Sequence, residues 1–344
     1  MITLHEILDR DKRPPSVTVY MICYNHAKYL DEAIHGVLMQ KTNFPVNIVI
    51  HDDASTDKSA EIIRRYAAEN PNITAILEET NFYQNGKSFL PLVIPHLTGK
   101  YIAYCECDDF WIDENKLQIQ VDYMEANPDC IAVYANIQQV DKYSQPNEKN
   151  VYFKKTREGD YSKYHIYGVA HQLATCVTRN FWKFMQPEEI NTYVSTKANG
   201  DEKQFVLCHN LGRVHFFSEQ LSAYRHVTDE GDSASARMHR ISTYDRFCLL
   251  AKQMVETYNL IDSLFGKKYR RIYIYVLLSE LTARRKFHRS FIEDARLDSR
   301  YHLKNIPIYA YVGVPLYKIY TYTKLDYVYR GIRKIFTILS YRRH

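Results

Sequence analysis

Residues 101–111, YIAYCECDDFW, decide the fold of this chain. The first five are apolar β-formers, which predicts a buried strand. The strand ends in three acids, Glu106, Asp108 and Asp109, and carboxylates packed this closely repel one another and resist burial. One explanation is a bound Mg²⁺ or Mn²⁺, whose coordination is completed by water and substrate phosphates. The other is a solvated strand end that caps a helix starting near Asp113.

Size and composition bound the class of protein. A chain of 344 residues can bury one large core, or form one domain plus an appendage. It has no run of the roughly 18 apolar residues that a membrane-spanning helix needs, and residues 1–15 lack the apolar segment of a signal peptide. Seven cysteines without a C-x-x-C pair favour buried, reduced thiols. We therefore expect a cytoplasmic protein.

The charge is distributed unevenly. The formal net charge is +5, but residues 265–344 carry 18 Lys and Arg against 5 Asp and Glu, and 12 of the 30 tyrosines. Basic residues mixed with Tyr suit an anionic membrane surface, which is the interpretation we favour. A solvated basic face of a helical subdomain and an RNA-binding surface are the alternatives, and nucleic acid is the weakest of the three.

Strand and helix patterns alternate along the first part of the chain. Strands are predicted over 17–23, 46–50, 72–77, 101–105, 130–138 and 173–178, short strands over 214–217 and 221–226, and helices around 30–38, 62–67, 87–97, 114–127 and from 200. We expect Ser55 or Thr56 to cap the second helix, and amphipathic helices after about residue 237. The alternation indicates βαβ units and a largely parallel sheet.

Polar residues follow three of the predicted strands. They are Tyr24-Asn25, Asp52-Asp53 and residues 106–109. Ligands of parallel α/β sheets bind beyond the carboxyl ends of the strands. The sequence therefore predicts one edge that gathers an aromatic ring, an amide and two acid pairs.

The order of these motifs resembles family 2 glycosyltransferases of the GT-A fold. The resemblance is carried by Tyr24-Asn25-His26, by residues 52–57 (DDASTD), by residues 99–111, and further on by Gly200-Asp201 and Tyr224-Arg225-His226. It is dense over about 15–130, sparse to about 235 and absent beyond. It implies a Rossmann-like α/β domain over 1–235, with a mostly parallel central sheet flanked by helices. Residues 236–344 would be a helical, basic, Tyr-rich extension.

The resemblance implies sugar transfer from a nucleotide-sugar donor with inversion at the anomeric carbon, assisted by Mn²⁺ or Mg²⁺. We expect a hexosyltransferase that uses a UDP-linked donor. The acceptor would be a hydroxyl group on a lipid-linked or growing glycan in cell-surface polysaccharide synthesis. The basic C-terminal region would dock the enzyme on the inner face of the membrane.

The resemblance also implies roles for single residues. On the donor side, Tyr24 would stack on the nucleobase, Asp53 would accept a hydrogen bond from it, and Asp52 would orient the loop. Asn25, Lys87 and Trp111 are further donor-site candidates, although Trp111 could simply pack. Core packing and turn formation are the structural alternatives for the strand-end residues.

The acidic stretch Glu106-Cys107-Asp108 occupies the position of the family's D-x-D motif. Asp108 would hold the metal ion. Glu106 is longer than the usual Asp and could reach the metal through water, and Asp109 would support the site or the sugar.

Later residues would complete the reaction centre. Asp201 resembles the catalytic base, with Glu202 as the fallback. Arg225 would bind the diphosphate, and His226 would contact phosphate or, more weakly, the metal. Residues near His171–Thr175 could touch the acceptor.

Two other functions stay open from the sequence. A nucleotidyltransferase would use the same fold and metal, but it normally has a Gly-rich phosphate-binding loop after the first strand, where this chain has Tyr24 to Lys28. A non-catalytic nucleotide-sugar-binding scaffold is the second alternative, and the complete set of acids argues against it.

Overall fold

The computed structural model describes residues 1–147, 158–161, 172–227, 234–241 and parts of 242–266. The strands are β1 (Val17–Cys23), β2 (Val46–Asp52), β3 (Ile73–Leu77), β4 (Tyr101–Glu106), β5 (Phe110–Trp111), β6 (Cys130–Val140), β7 (Gly159–Tyr161), β8 (Val177–Arg179) and β9 (Arg213–Arg225). The helices are α1 (Leu4–Arg10), α2 (Leu30–Leu38), α3 (Ser59–Glu69), α4 (Leu90–Val93), α5 (Lys116–Ala126), α6 (Pro187–Ser195), α7 (Gly200–Leu211) and α8 (Ala234–Arg240).

All these strands belong to one mixed sheet. The order is β3-β2-β1-β4-β8-β6-β9-β5, and β7 pairs with β9. Strands β3, β2, β1 and β4 are mutually parallel, and β6 is parallel to β9. The short strand β8 lies antiparallel between β4 and β6. The α/β fold with a mostly parallel sheet and flanking helices confirms the fold class predicted from the sequence.

The core explains why the strands read as apolar runs. Six of the seven residues of β1 are buried, and so are the first five of β4. A strand covered by helices on both faces must be apolar at successive positions rather than alternating ones. These buried strands hold the polar residues that follow them in fixed places along one edge.

Helix α2 fixes the acidic stretch from one side. A Cβ atom added to Gly36 would lie 2.8 Å from the backbone N and O of Trp111. A larger residue would collide with the β5 backbone, so that only glycine allows α2 to approach β5 this closely. Strand β5 follows the acids directly. The close packing of α2 on β5 therefore constrains the strand that begins at the end of the acidic turn.

Several predicted elements need correction. Residues 173–175 form a 3₁₀ helix, so that the strand β8 begins only at Val177. Residues 214–217 and 221–226 are not two strands but lie in the single strand β9, which follows an irregular register along β6. The helix expected over 87–97 is divided into α4 and a 3₁₀ helix, because Pro91 and Pro95 cannot donate the backbone hydrogen bonds of a longer helix.

The predicted cap of α3 is also wrong. The residue before the first helical turn is Lys58, which makes no side-chain capping bond. Ser55 instead accepts a hydrogen bond from the backbone N–H of Asn25 and donates one to Asp52. It therefore joins the loops after β1 and β2 rather than ending a helix.

The chain divides into two compact units. The first comprises Met1–Arg237 and Leu260–Lys267, and the second comprises Met238–Asn259 and Lys268–His344. Residues 267–344, where we expect the basic helical extension, lie outside the described residues. Within the described part of the chain, no helix has both the length and the apolar character required to cross a membrane.

Candidate active site

The predicted site residues gather at the carboxyl edge of the sheet. Parallel pairing places the end of β1 between the ends of β2 and β4, with Cys23 opposite Asp52 and Ile22 opposite Glu106. The C-terminal end of β9 reaches the same edge, because the backbone N–H of Arg225 donates to a carboxylate oxygen of Asp109 at 2.8 Å. The ends of β1, β2 and β4 therefore converge, as the sequence predicted for three strands, and the end of β9 joins them.

Asp53 anchors the loop that follows β3. Its carboxylate is 2% exposed and accepts hydrogen bonds from the backbone N–H groups of Phe82 (2.7 Å) and Tyr83 (3.1 Å). The carbonyl oxygen of Asp53 accepts a third from the Asn81 amide (2.7 Å). Asp53 therefore organises the loop over residues 81–83, with both of its carboxylate oxygens engaged.

The side chains of Asn25 and Asp52 both accept hydrogen bonds from the loop after β2. Asn25 has a φ of 56°, in the left-handed region that Asn tolerates, and its side-chain oxygen accepts from the Thr56 backbone at 2.7 Å. Asp52 accepts from the backbone and the hydroxyl of Ser55. The hydroxyl of Tyr24 accepts from the side chain of Gln84 at 2.8 Å.

In the acidic turn, residues 106–109, the carboxyl groups have fewer hydrogen-bond partners than Asp52 and Asp53 have. Asp109 is 1% exposed, and its Oδ2 has no hydrogen-bond partner among the described residues. Burial raises the pKa of Asp109 well above its usual range, and the charges of Asp108 and Asp201 add to this effect. Burial and the charge of Asp201, followed by those of Asp108 and Asp109, likewise raise the pKa of Glu106. Four carboxyl groups thus repel one another in one region, and Arg225 offsets part of this repulsion at Asp109.

Asp201 enters this region from the start of α7. Asn199 caps the helix, and its side-chain oxygen accepts from the backbone N–H of Asp201 at 3.1 Å. The structure therefore brings Asp201 into electrostatic contact with the acidic turn, across roughly 90 residues of sequence. Glu202 is the next residue of the same first helical turn.

His26 is a site residue that the sequence interpretation did not assign. Its Nε2 lies 3.8 Å from Oδ2 of Asp108, and both side chains are about a quarter exposed (23% and 27%). Its Nδ1 is buried and has no partner among the residues described. The available signal was its position two residues after Tyr24, at the end of a strand that neighbours β4.

The Arg225 side chain is buried and makes its bonds within the protein, where it holds the acidic turn in place. Its side chain is 2% exposed and pairs with Glu32 at 2.6 Å. Its Nε donates to the backbone carbonyl of Asp108 at 2.9 Å, and a terminal nitrogen donates to the carbonyl of Asp141 at 3.1 Å. Glu32, which lies in α2, was not predicted as part of the site.

The other predicted residues occupy different surroundings. Cys107 and Trp111 are buried in the core, and the indole N–H of Trp111 donates to the carbonyl of Ala174 at 2.9 Å. Lys87 is exposed on the loop after β3. His226 follows Arg225 and donates its backbone N–H to Val140 at 2.9 Å. The predicted acceptor stretch is described from residue 172, and His171 lies outside the described residues.

The acidic turn suits a hard divalent cation. No group of three His, Cys, Asp or Glu side chains within the described ranges forms a ready metal site. Mg²⁺, however, needs only one or two carboxylates, because water and substrate phosphates supply its remaining ligands. A cation bound here would give the Oδ2 of Asp109 a partner and would offset the burial and repulsion that raise the pKa of Glu106.

Comparison with known proteins agrees with this geometry. Residues 18–182 match Glycosyl transferase family 2. An uncharacterized protein of Mycobacterium tuberculosis is 39% identical over 121 residues, which are 34% of this chain and 34% of that protein. The putative teichuronic acid biosynthesis glycosyltransferase TuaG of Bacillus subtilis is 28% identical over 110 residues, 32% of this chain and 42% of TuaG. The matched stretch thus spans less than half of each of these relatives.

A solved structure extends the comparison over most of the chain. S. aureus TarS 1-349, in complex with UDP-GlcNAc, superposes with a TM-score of 0.53 and 16% identity, covering 91% of this chain and 93% of that one. Identity this low shows the fold alone. Residues 18–182, from β1 to β8, thus match family 2 glycosyltransferases, and the superposition shows that the chain shares the GT-A fold.

Proposed function

We propose that this protein transfers a sugar from a nucleotide-sugar donor to a hydroxyl group, with inversion at the anomeric carbon and with the help of Mg²⁺ or Mn²⁺. The observation that carries the proposal is the group of four carboxyl side chains at the sheet edge, in which burial and mutual repulsion raise the pKa values of Glu106 and Asp109. Such a group is stabilised when a cation and its phosphate ligands occupy it.

Asp108 would bind the cation directly, and Glu106 would reach it through water. The bound cation would neutralise charge on the leaving diphosphate. His26 lies close enough to Asp108 to orient its carboxylate. Arg225 would contribute by fixing the backbone of the acidic turn, since its guanidinium is bonded to Glu32 and to two carbonyl groups.

Asp201 would act as the base. Inversion requires one carboxylate to accept the proton of the acceptor hydroxyl while its oxygen attacks the anomeric carbon from the side opposite the leaving group. Asp201 comes from α7, on the other half of the sheet from the donor loops, and its charge is felt by Glu106 and Asp109. Glu202 is the alternative base in the same helical turn.

The donor is proposed to be UDP-linked, and the acceptor a lipid-linked or growing cell-surface glycan. TarS was crystallised with UDP-GlcNAc, and TuaG is described as a teichuronic acid enzyme. UDP-sugars are therefore the first donors to test on this chain.

The test is turnover across a panel of nucleotide-sugars with Mn²⁺, Mg²⁺ or EDTA. We expect one donor to be consumed only with metal present, and Asp108→Ala to lower the rate by about 10³-fold or more. Asp122→Ala is the matched control, because Asp122 is an exposed acid on α5 whose carboxylate accepts from Gln118 and from no other side chain among the described residues. Equal turnover with EDTA, or in Asp108→Ala, would reject the proposed metal site. Binding of a nucleotide-sugar without turnover would favour the scaffold function.

The basic residues of 265–344 are proposed to bind the anionic inner face of the membrane. The support is their charge, 18 Lys and Arg against 5 Asp and Glu. The test is sedimentation of the full chain with phosphatidylserine vesicles, compared with a variant in which Lys267, Lys268, Arg270 and Arg271 are changed to Gln. Undiminished sedimentation of the variant, or equal sedimentation with neutral vesicles, would contradict the proposal.

A further inference from the structure

The guanidinium of Arg225, which the sequence assigned to the diphosphate, is engaged within the protein. Its side chain is 2% exposed and pairs with Glu32 at 2.6 Å. Its Cζ lies 4.1 Å from the centroid of the Tyr29 ring and 5.4 Å from that of the Phe110 ring, and its Nε donates to the carbonyl of Asp108 at 2.9 Å. A phosphate oxygen would have to displace these contacts to reach the guanidinium. Another side chain is therefore needed to meet the leaving diphosphate beside the acidic turn.

The imidazole of His26 faces the acidic turn from the end of β1. Its Nε2 lies 3.8 Å from Oδ2 of Asp108, which is longer than a hydrogen bond. The side chain is 23% exposed, so that solutes can reach this edge of the ring. Within the described part of the chain Nε2 makes no hydrogen bond. The ring therefore keeps one nitrogen for a ligand that binds next to Asp108.

The backbone of His26 is fixed on both sides. Its N–H donates to the hydroxyl of Ser59 at 3.0 Å, and Ser59 is fully buried. Its carbonyl accepts from the N–H groups of Tyr29 (2.8 Å) and Leu30 (3.0 Å), where α2 begins. A ligand that binds the imidazole therefore has little backbone to order, which favours binding because less conformational entropy is lost.

The surroundings of the ring assign its proton to Nε2. The Nδ1 of His26 is buried and has no partner among the described residues, so that a proton there would be a buried N–H without an acceptor, which costs free energy. Nε2 faces the carboxylate of Asp108, whose negative charge favours a proton on this nitrogen. His26 thus presents a hydrogen-bond donor. A metal ion could bind Nε2 only if that proton moved to Nδ1.

We propose that the Nε2–H of His26 donates a hydrogen bond to the diphosphate of the nucleotide-sugar. Oxygens that share one Mg²⁺ at about 2.1 Å lie about 3 Å apart, so that a phosphate oxygen on a cation held by Asp108 comes within reach of Nε2. The bond strengthens as the bond between sugar and phosphate breaks, because negative charge then grows on the diphosphate. The inference deepens the proposed function and rests on it for the identity of the ligand.

The experiment measures by calorimetry how tightly the full-length protein binds UDP, GDP, uridine and guanosine in excess Mn²⁺. The amide of His26→Asn lies near the position of Nδ1 and does not reach that of Nε2. We expect this variant to bind the nucleoside diphosphate about tenfold more weakly, with less than about a twofold change for the nucleoside. The amide of His26→Gln reaches the position of Nε2 and should keep the affinity within about threefold.

The matched control is His35→Asn, because His35 is exposed on α2 and its ring contacts Tyr66. This control should bind like the unchanged protein. His26→Leu is a second variant without the donor and should show the same loss as His26→Asn, and urea unfolding without nucleotide checks that both are folded. Electron spin echo spectroscopy of bound Mn²⁺ detects imidazole nitrogen on the metal. Its nitrogen signal should be the same in the unchanged protein and in His26→Gln.

Three results would overturn the proposal: undiminished binding of the nucleoside diphosphate by His26→Asn and His26→Leu, an equal loss for nucleoside and nucleoside diphosphate, or a nitrogen signal that disappears in His26→Gln. The third would make His26 a metal ligand. Turnover of a nucleotide-sugar by the unchanged protein is measured alongside. Turnover together with undiminished diphosphate binding by the variants would reject this inference and keep the proposed function. If the unchanged protein binds neither UDP nor GDP, both are rejected.

Discussion

Two pairs of adjacent aspartates lie at the ends of β2 and β4, the strands on either side of β1, and the two pairs have opposite surroundings. After β2, the carboxylates of Asp52 and Asp53 accept hydrogen bonds from Ser55, Phe82 and Tyr83. After β4, Asp109 is buried to the same degree as these two, yet one of its oxygens has no partner among the described residues.

The difference teaches how a pair of acids can be assigned a role. A carboxylate that accepts several backbone N–H bonds has its charge compensated and organises the chain around it. A buried carboxylate beside other acids lacks that compensation, and such groups cluster at functional sites. The first pair organises the loops that follow β2 and β3, and the second supplies the chemistry that we propose.

The largest expected effect tests what holds the second pair in place. Arg225→Ala should lower the free energy of unfolding by about 3 kcal/mol, because it removes a buried guanidinium that pairs with the partly exposed Glu32 and donates three further hydrogen bonds. Urea unfolding measures this. Arg65→Ala is the control, since its pair with Asp31 is half exposed and should be worth less than about 1 kcal/mol. Equal losses in the two variants would show that Arg225 does not brace the acidic turn.

Removing one charge from each pair compares them directly. Asp53→Asn should cost about 2 kcal/mol of unfolding free energy, because an amide NH₂ would face a backbone N–H in place of an acceptor. Asp109→Asn should leave stability unchanged or raise it by about 1 kcal/mol, since it relieves repulsion by Asp108 and Asp201, while lowering turnover. Thermal and urea unfolding with a turnover assay check both. The reverse order of stabilities would reject the distinction drawn here.

Much of the fold could be predicted because burial leaves a periodic record in sequence. Strands β1, β2, β4 and β6 were predicted close to their observed bounds, since residues buried on both faces read as continuous apolar runs. The convergence of their polar ends follows from parallel pairing. The 3₁₀ turn at 173–175 and the merging of two short segments into β9 depend on neighbouring strands, which a local pattern does not contain.

The sequence indicated which strand ends carry the candidate site residues, but not which partner each side chain has. The contact between Glu32 and Arg225 joins residues 193 positions apart, and nothing in either local sequence indicates it. His26 lies beside Asp108 for the same reason, through the pairing of β1 with β4. Sequence position indicates which strand end a residue occupies, whereas hydrogen-bond partners decide whether its side chain is engaged by the protein.

Lys116 shows the effect of burial on a basic group, in comparison with the buried aspartates. Lys116 is fully buried below Trp111, and burial lowers its pKa from 10.5 to about 7. Above pH 7 the folded state loses this proton first, while the unfolded state keeps it until near pH 10. The unfolded state then binds more protons, so that the free energy of unfolding rises with pH across this window.

We expect a gain of about 2 kcal/mol between pH 7.5 and 9, which Lys116→Met should abolish. Chemical unfolding at the two pH values gives the difference, and Lys12→Met, an exposed lysine (72%), serves as the control that keeps the gain. A gain of equal size in Lys116→Met would mean that Lys116 keeps its proton in the folded protein throughout the window.

The smallest effect concerns Asn25, a predicted donor-binding residue whose side chain is engaged by the loop after β2. Asn25→Gly removes the bond to Thr56 but suits the positive φ, so that the two effects largely cancel and the loss should stay below about 1 kcal/mol. Asn25→Ala keeps neither advantage and should cost about 1 kcal/mol more. Unfolding measurements on both variants, with the KM for the donor, separate the roles. If Asn25 only shapes the loop, Asn25→Gly keeps the donor KM within about twofold, a change near 0.4 kcal/mol. A tenfold rise in the donor KM at unchanged stability would instead show that the Asn25 side chain contacts the donor. The loop after β1 would then belong with the acidic turn, whose side chains serve the reaction, and not with Asp52 and Asp53, whose side chains hold loops.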